Sequence, residues 1–567
     1  MKLLAVFLVV FAWVGAFSLD REAFTFTKYD LDVRIEPEQQ RLSVRGSLTL
    51  RNESKTSQKN AALQISSSLT WRSIQADGKP LQFVSQTYTS DIDHTGELSE
   101  AIITLPTEVG PGNSVEFTVG YEGVIALDAT RLTRIGMEKE KAVHTDWDQI
   151  SRLSSAVRGA GNVVWYPVAM DAANLSEEGS LFEILGRWKT RESNAAMHVK
   201  LSYSLSSEGR PPELICNAEG NRMFEAMGPQ KVVAQCDFSP LGFQAPSFVM
   251  AEYAFLEAPQ LQVFYRDEHK NRAEKFVQAT AAAAPFVTEW VGAARRKVLV
   301  AELFDPGASP FESGLMLLTP LGDTDPKLLQ IAMVHELTHA AFASNRLWVF
   351  EGLAHFMQAA YREQQQNREA ALDFLGLHRA AVMDAERATG SKSKDTPDEP
   401  LISTAVDSFY RSKAAYVWWM LRDMLGDDVL KKALANYRAD QDKDPAYLQH
   451  LLETESKRNL QWFFDDWVYH DRGLPDFRVE SAFPRQASQN NYLITVTVEN
   501  LGAAGAEVPV TIHFDDAEIT ERVEVLGKAQ AVVRVATPRP PTQVTVNDGS
   551  VPESDLTNNL FKVGAAH

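Results

Sequence analysis

Apolar and polar residues alternate with a period of two from Phe24 onward: Tyr29, Leu31, Val33 and Ile35 are separated by polar positions, and Ser47-Leu48-Thr49-Leu50 repeats the habit after a turn. Such alternation predicts half-buried strands. Short strands divided by Gly, Pro and Asn turns continue to near Leu256, as in His198-Val199-Lys200-Leu201-Ser202-Tyr203. The expectation is an all-β region over residues 19–257, a β-sandwich or saddle-shaped sheet. The texture then changes. Helical periodicity starts near Arg272 and runs through an alanine-rich segment to Val291, followed by a short strand, Val298-Leu299-Val300-Ala301. Ser309 to Leu318 reads as an edge strand. Beyond it the chain is predicted mostly helical to Trp467, broken by a polar loop from Lys392 to Pro400 that is long enough to border a cleft. A sheet followed by helices makes residues 258–477 an α+β domain, closed by Asp471-Arg472-Gly473-Leu474-Pro475. Alternation returns in Tyr492, Ile494, Val496 and Val498 and again in Val508, Val510, Ile512 and Phe514, predicting a smaller β-sandwich over 478–567. The fold class expected is multidomain α+β.

Composition changes this picture in three places. At 567 residues, 44% of them hydrophobic, the chain can bury several cores. A net charge of −19 argues against nucleic acid as a partner. Met1-Lys2, the apolar run Leu3 to Gly15 and the small residues around Ala16-Phe17-Ser18 have the layout of a cleaved secretory signal, residues 1–18. That run is short for a membrane span, and no later stretch approaches spanning length, so the expectation is a secreted or periplasmic protein with no stable membrane span. The oligomeric state is not fixed by the sequence, and a monomer is the default expectation. The two cysteines, Cys216 and Cys236, lie in what reads as adjacent strands; they pair in an oxidising compartment or remain as two buried thiols.

The candidate chemistry sits between Asp325 and Phe356. Asp325 then Pro326 reads as an N-cap followed by proline at the first helical position, and Leu328, Leu329, Ile331, Ala332, Met333 and Val334 carry the helix into His335-Glu336-Leu337-Thr338-His339. Residues four apart share a helical face, so His335 and His339 can direct both imidazoles at one ion, while Glu336 is rotated by about 100° beside it. A catalytic zinc takes three protein ligands and a water. Glu351, carried on a following helix in Trp348-Val349-Phe350-Glu351-Gly352-Leu353-Ala354-His355-Phe356, completes the set. With 12 His in the chain, a chance match to the five-residue pattern is roughly a one-in-a-hundred event. One Zn2+ held by His335, His339 and Glu351 would bring the pKa of a bound water near 7, with Glu336 as general base that passes the proton to the leaving amine. A metal-free reading, two buried histidines in a packed helix, is the bland alternative.

HELTH, then LWVFEGLAHF, then Tyr410-Arg411-Ser412-Lys413 through Val417-Trp418-Trp419-Met420-Leu421 to Leu425-Gly426, then Trp462-Phe463-Phe464-Asp465-Asp466-Trp467 with Gly473 and Pro475, resemble in sequence and order the gluzincin (peptidase MA clan) zinc aminopeptidases typified by aminopeptidase N and leukotriene A4 hydrolase. The resemblance covers roughly residues 24–475 and implies a saddle-like amino-terminal domain, a thermolysin-like catalytic domain and peptide substrates attacked at the amino terminus. The last domain is similar instead to an Ig-like adhesion module, with Val551-Pro552-Glu553-Ser554-Asp555-Leu556-Thr557-Asn558-Asn559 as its ending. The chain departs from the family in three ways. The gap from His339 to Glu351 is shorter, so a loop between the two helices is missing. The exopeptidase strand is matched by Pro310-Phe311-Glu312-Ser313-Gly314-Leu315 only at Glu312, which the resemblance implies grips the substrate's free amino group. An ungapped alignment puts the family's catalytic tyrosine on Arg411, one residue after Tyr410. Tyr410 is taken as the phenol that stabilises the oxyanion, with Tyr416 as the alternative. The implied activity is a zinc-dependent aminopeptidase. An endopeptidase of the same clan and a catalytically retired binding or adhesion protein are the other readings. The survival of both histidines, Glu336 and Glu351 speaks against retirement.

Overall fold

The computed structural model describes residues 19–204, 212–218, 225–226, 231–390, 399–488 and 491–563. The candidate signal at 1–18 and most of the polar loop Lys392 to Pro400 lie outside the described residues.

The alternation in the first 257 residues folds as read. Phe24–Glu36 pairs antiparallel with Arg41–Asn52 and parallel with Ala196–Ser204, at the middle of an eight-stranded sheet. Tyr29, Leu31, Val33 and Ile35 all turn to the buried face. Two three-stranded sheets complete the region, one of them formed by Glu213–Cys216, Phe248–Ala251 and Ser154–Val157. The region is not purely β. Helix α1, Ser180–Glu192, buries Ile184 and Trp188 in the core of this region and Gly186 on another face, against Ala405. Flanking polar residues hide a periodicity this short. The cysteines also differ from the adjacent-strand reading. They form a disulfide with Cα atoms 6.3 Å apart, but Cys216 lies in the three-stranded sheet and Cys236 in the eight-stranded one, so the bond ties two sheets together.

The next unit is a five-stranded sheet in the order Ala254–Ala258, Leu261–Tyr265, Val298–Glu302, Met316–Thr319, Phe311–Ser313. Its inner pairs are parallel and both edges antiparallel. The stretch read as one edge strand is thus a hairpin. Gly314, at φ +64, makes the turn, a conformation a side chain rarely adopts, and Gln244 from the amino-terminal region fills the space a Cβ would need. Ser313 Oγ donates to the Ala245 carbonyl at 3.0 Å and accepts from its N–H at 3.1 Å and from Asn217 Nδ2 at 3.0 Å, so the amino-terminal region fixes the short strand Phe311–Ser313 in place.

Helix α2, Lys270–Val291, packs on the sheet and on helix α3, Pro326–Ala341. The predicted cap of α3 is present, with Asp325 Oδ1 accepting from the Lys327 N–H at 2.8 Å. Helix α4, Leu347–Gln365, follows after a five-residue link and lies against α3, and helix α5, Arg368–Gly390, lies against α4. A π-helical turn, Ser408–Lys413, leads into helix α6, Ala414–Leu425, which also packs on α4. Gly352 makes that approach possible, since a Cβ there would sit 2.4 Å from the Ala414 Cβ. Gly352→Ala is expected to lower stability by about 1–3 kcal/mol through overpacking, read from the denaturant midpoint; an unchanged midpoint would refute the close contact.

The carboxy-terminal strands form a sandwich of one three-stranded and one four-stranded antiparallel sheet. Val496, Val498, Val508, Val510 and Ile512 fill its interior and join the core of the helical region without a break. Trp467 Nε1 donates to the Gly505 carbonyl at 2.7 Å, and Arg522 pairs with Asp423 at 3.1 Å. Among the described residues no helix is long and apolar enough to cross a membrane.

Candidate metal centre

The i, i+4 spacing on α3 does what it predicts. His335 Nε2 and His339 Nε2 face each other 3.1 Å apart, and both residues are buried. The His339 ring stacks on Phe350 at 3.9 Å and the His335 ring meets His355 at 4.8 Å, which holds both imidazoles in one orientation. Glu312, on the edge strand, brings Oε1 to 3.1 Å from His335 Nε2 and 3.6 Å from His339 Nε2. These three residues are the group of potential ligand atoms that lie within 4.8 Å of one another among the described residues.

Glu351 projects from the first turns of α4 and is ion-paired with Arg411, Nε to Oε2 at 3.4 Å. Its charge reaches both histidines, which are in turn among the causes that lower its own pKa. The expected third ligand is therefore beside the histidines but drawn towards a guanidinium, while Glu312, expected at the substrate's amino group, is against the imidazoles. Glu336 is buried and its Oε2 has no partner among the described residues.

Electrostatics follow from enclosure and proximity. Desolvation would raise the Glu312 carboxyl, but the charge and hydrogen bond of His335, then His339 and Arg411, hold it down to about 2. Burial, then the adjacent His335, pulls the His339 imidazole down to about 4, so it is neutral and its lone pair is available. Glu336 is pushed well above the usual carboxylate range, first by burial and then by the charges of Glu312 and Glu351. Burial works against Glu351, yet Arg411 keeps it ionised.

These groups fit a zinc ion. Two nitrogens bound at 2.0–2.1 Å in a tetrahedron lie about 3.3 Å apart, and the histidine nitrogens are 3.1 Å apart before any adjustment. Carboxylates flank them on two sides, one of them with an oxygen that lacks a partner.

Neither tyrosine is clearly the phenol of this site. Tyr416 is buried and donates its hydroxyl to the Leu375 carbonyl at 2.9 Å, away from the histidines. Tyr410 is buried in the π turn, its pKa raised by burial and by Asp407. The polar group that reaches Glu351 from this turn is Arg411, also paired with Asp407 at 3.1 Å. His355, four residues after Glu351, pairs with Gln358 at 3.1 Å. Lys189 is the residue the sequence did not point to. It stands on α1, outside every motif, and its pKa is lowered first by burial and then by Arg411, with Glu351, Asp407 and Glu312 acting in the opposite direction.

With the geometry in hand, comparison with known proteins is direct. Residues 306–467 match the model of the Peptidase family M1 domain. Over that stretch the chain is similar to peptidase family M1 domains. Human aminopeptidase N is 28% identical over 176 residues, 27% of this chain and 18% of that protein. Rat aminopeptidase N is 28% identical over 219 residues, 34% of this chain and 21% of that protein. The chain thus matches about a fifth of the length of these relatives. A solved M1 zinc metallopeptidase from Deinococcus radiodurans, a mutant bound to a Tyr-Ser-Ala substrate, aligns with a TM-score of 0.49 at 15% identity, over 81% of this chain and 97% of that one. The M1 domain spans Glu312, the α3 histidines, Glu336, Glu351, Tyr410 and Arg411. Lys189 and the residues that clamp Ser313 lie outside it.

Proposed function

We propose that this chain is a zinc-dependent metallopeptidase that removes residues from the free amino terminus of peptides. The observation that carries the reading is the convergence of His335, His339, Glu312 and buried Glu336 at one point of the M1 domain. His335, His339 and Glu351 would hold the ion, Glu351 turning from its pairing with Arg411. Zinc at such a site acidifies water and polarises the scissile carbonyl. Glu336 takes the proton from the attacking water and delivers it to the departing amine, a task suited to a carboxylate whose proton affinity is raised by burial. Arg411, and Tyr410 behind it, supply donors for the charge that develops on the carbonyl oxygen. Glu312, on an edge strand, accepts the substrate's α-ammonium. Export through residues 1–18 and domain limits near 257 and 477 belong to the same reading, and the Cys216–Cys236 disulfide supports an oxidising compartment.

One observation favours an endopeptidase instead: Glu312 lies 3.1 Å from His335, where it serves the metal side of the cleft rather than an ammonium. The test is a digestion of one peptide with a free and with an acetylated amino terminus, products read by mass. Stepwise shortening of the free peptide alone is the expected result. Internal cuts in both would replace the aminopeptidase by the endopeptidase, and no cleavage of either would sink the peptidase reading.

A further inference from the structure

The ring of His335 has a second nitrogen to place. Its Nε2 faces His339 at the ion site, while its Nδ1 is buried and has no partner among the described residues. A histidine that binds a metal through one nitrogen donates the N–H of the other to an acceptor, which fixes the tautomer and the direction of the ring. A third imidazole packs against it: His355, with ring centroids 4.8 Å apart at 57°. His355 Nε2 is likewise buried without a partner among the described residues. Two imidazoles joined by one N–H···N bond have centroids about 5 Å apart, so the rings stand at the separation this bond needs.

The surroundings of His355 make that nitrogen an acceptor. Gln358, one turn further along α4, donates from Nε2 to the Ile331 carbonyl at 3.1 Å, which leaves its Oε1 turned to His355 Nδ1, also at 3.1 Å. An amide oxygen only accepts, so Nδ1 carries the hydrogen and, in the neutral ring, Nε2 carries the lone pair. The Ile331 carbonyl belongs to α3 and lies one turn before His335, whose N–H it also receives in the helical pattern. The order of donors is thus anchored on the backbone of the helix that carries both histidines. His378 on α5 also packs its ring 4.9 Å from that of His355 at 65°, and its Nδ1 pairs with Ser412 Oγ at 3.0 Å in the π turn. His355 is therefore braced by two neighbouring elements.

We propose that His355 is a positioning residue of the metal centre: its Nε2 accepts the Nδ1–H of His335, so that His335 Nε2 presents its lone pair to the ion. This rests on the reading of His335 as a zinc ligand. It gives α4 two parts in the centre, Glu351 as a ligand and His355, four residues on, as support for a ligand carried by α3. Ile331, Gln358, His355 and His335 are then linked in series, and each acceptor raises the basicity of the nitrogen beyond it.

Zinc affinity of the full chain is measured by competition with a chromogenic chelator, with no peptide present. His355→Leu, which keeps the bulk and removes the acceptor, is expected to weaken zinc by about 10–100-fold. His355→Gln, whose Oε1 comes near the place of Nε2, restores most of that loss. Gln358→Leu keeps both imidazoles and removes only the group that sets the tautomer. It is expected to weaken zinc by a smaller factor, and it carries the test if His355→Leu does not fold. Melting of the metal-free chain separates packing from positioning: a lowered Tm with unchanged zinc affinity is a structural role only and overturns the proposal. A Gln variant as weak as the Leu variant overturns it too. Peptide cleavage is read separately. A wild type that binds zinc but cleaves nothing loses the peptidase reading and leaves the role of His355 standing on the affinities. A chain that cleaves peptides while both Leu variants bind zinc like the wild type keeps the peptidase and loses the positioning role. A wild type that binds no zinc overturns both.

Discussion

Glu336→Gln is expected to lower kcat on any cleaved peptide by about 10²–10⁴-fold while leaving the zinc content unchanged. The side chain sits one helical step from His335, buried, with Oε2 unpartnered among the described residues. Its enclosure favours holding a proton, and the charges of Glu312 and Glu351 act in the same direction. Glutamine keeps the volume of the side chain and one acceptor oxygen but cannot carry a proton between water and amine. The effect therefore falls on the chemical step, and KM should move little. A variant that keeps more than a tenth of the turnover would mean that another group takes the proton, and Glu312, 3.1 Å from His335, would be the first to examine.

How far the sequence reached differs between parts of the molecule, for physical reasons. Period-two alternation located Phe24–Glu36 and its neighbours because a strand with one buried face writes that face into every second residue. The α3 helix was readable from its cap and its i, i+4 histidines, both local signals. The contact between Glu312 and His335 was not, because it depends on how a three-residue strand is clamped by Asn217 and Ala245, 96 and 68 residues away in the chain from Ser313. The choice between Tyr410 and Arg411 turns on a π-helical turn, in which residues no longer fall at 3.6 per turn, so helical spacing gives the wrong face. Lys189 carries no signal at all. A lysine on a short amphipathic helix is indistinguishable from a solvated one until Gly186 is seen against Ala405.

Zinc binding itself separates the two possible ligand sets. His339→Ala is expected to weaken zinc by about 10³-fold, since one of four bonds to an ion bound with roughly 10–16 kcal/mol is lost. The readout is zinc per chain after dialysis, together with the shift in Tm on adding zinc. An ion that binds only the folded chain stabilises it by about 2.7 kcal/mol at a hundredfold excess over Kd, so the shift disappears when the site does. Comparing each variant with and without zinc removes the cost of the cavity left under Phe350. The informative pair is Glu351→Gln and Glu312→Gln. Glu351 as third ligand requires the first to lose zinc and the second to retain it, because a carboxylate paired with Arg411 can turn to the ion while Glu312 stays free for an ammonium. The opposite pattern would make Glu312 the ligand. The strand Phe311–Ser313 would then belong to the metal centre, no residue would be left to read a free amino terminus, and cleavage within the chain would be the chemistry the site supports.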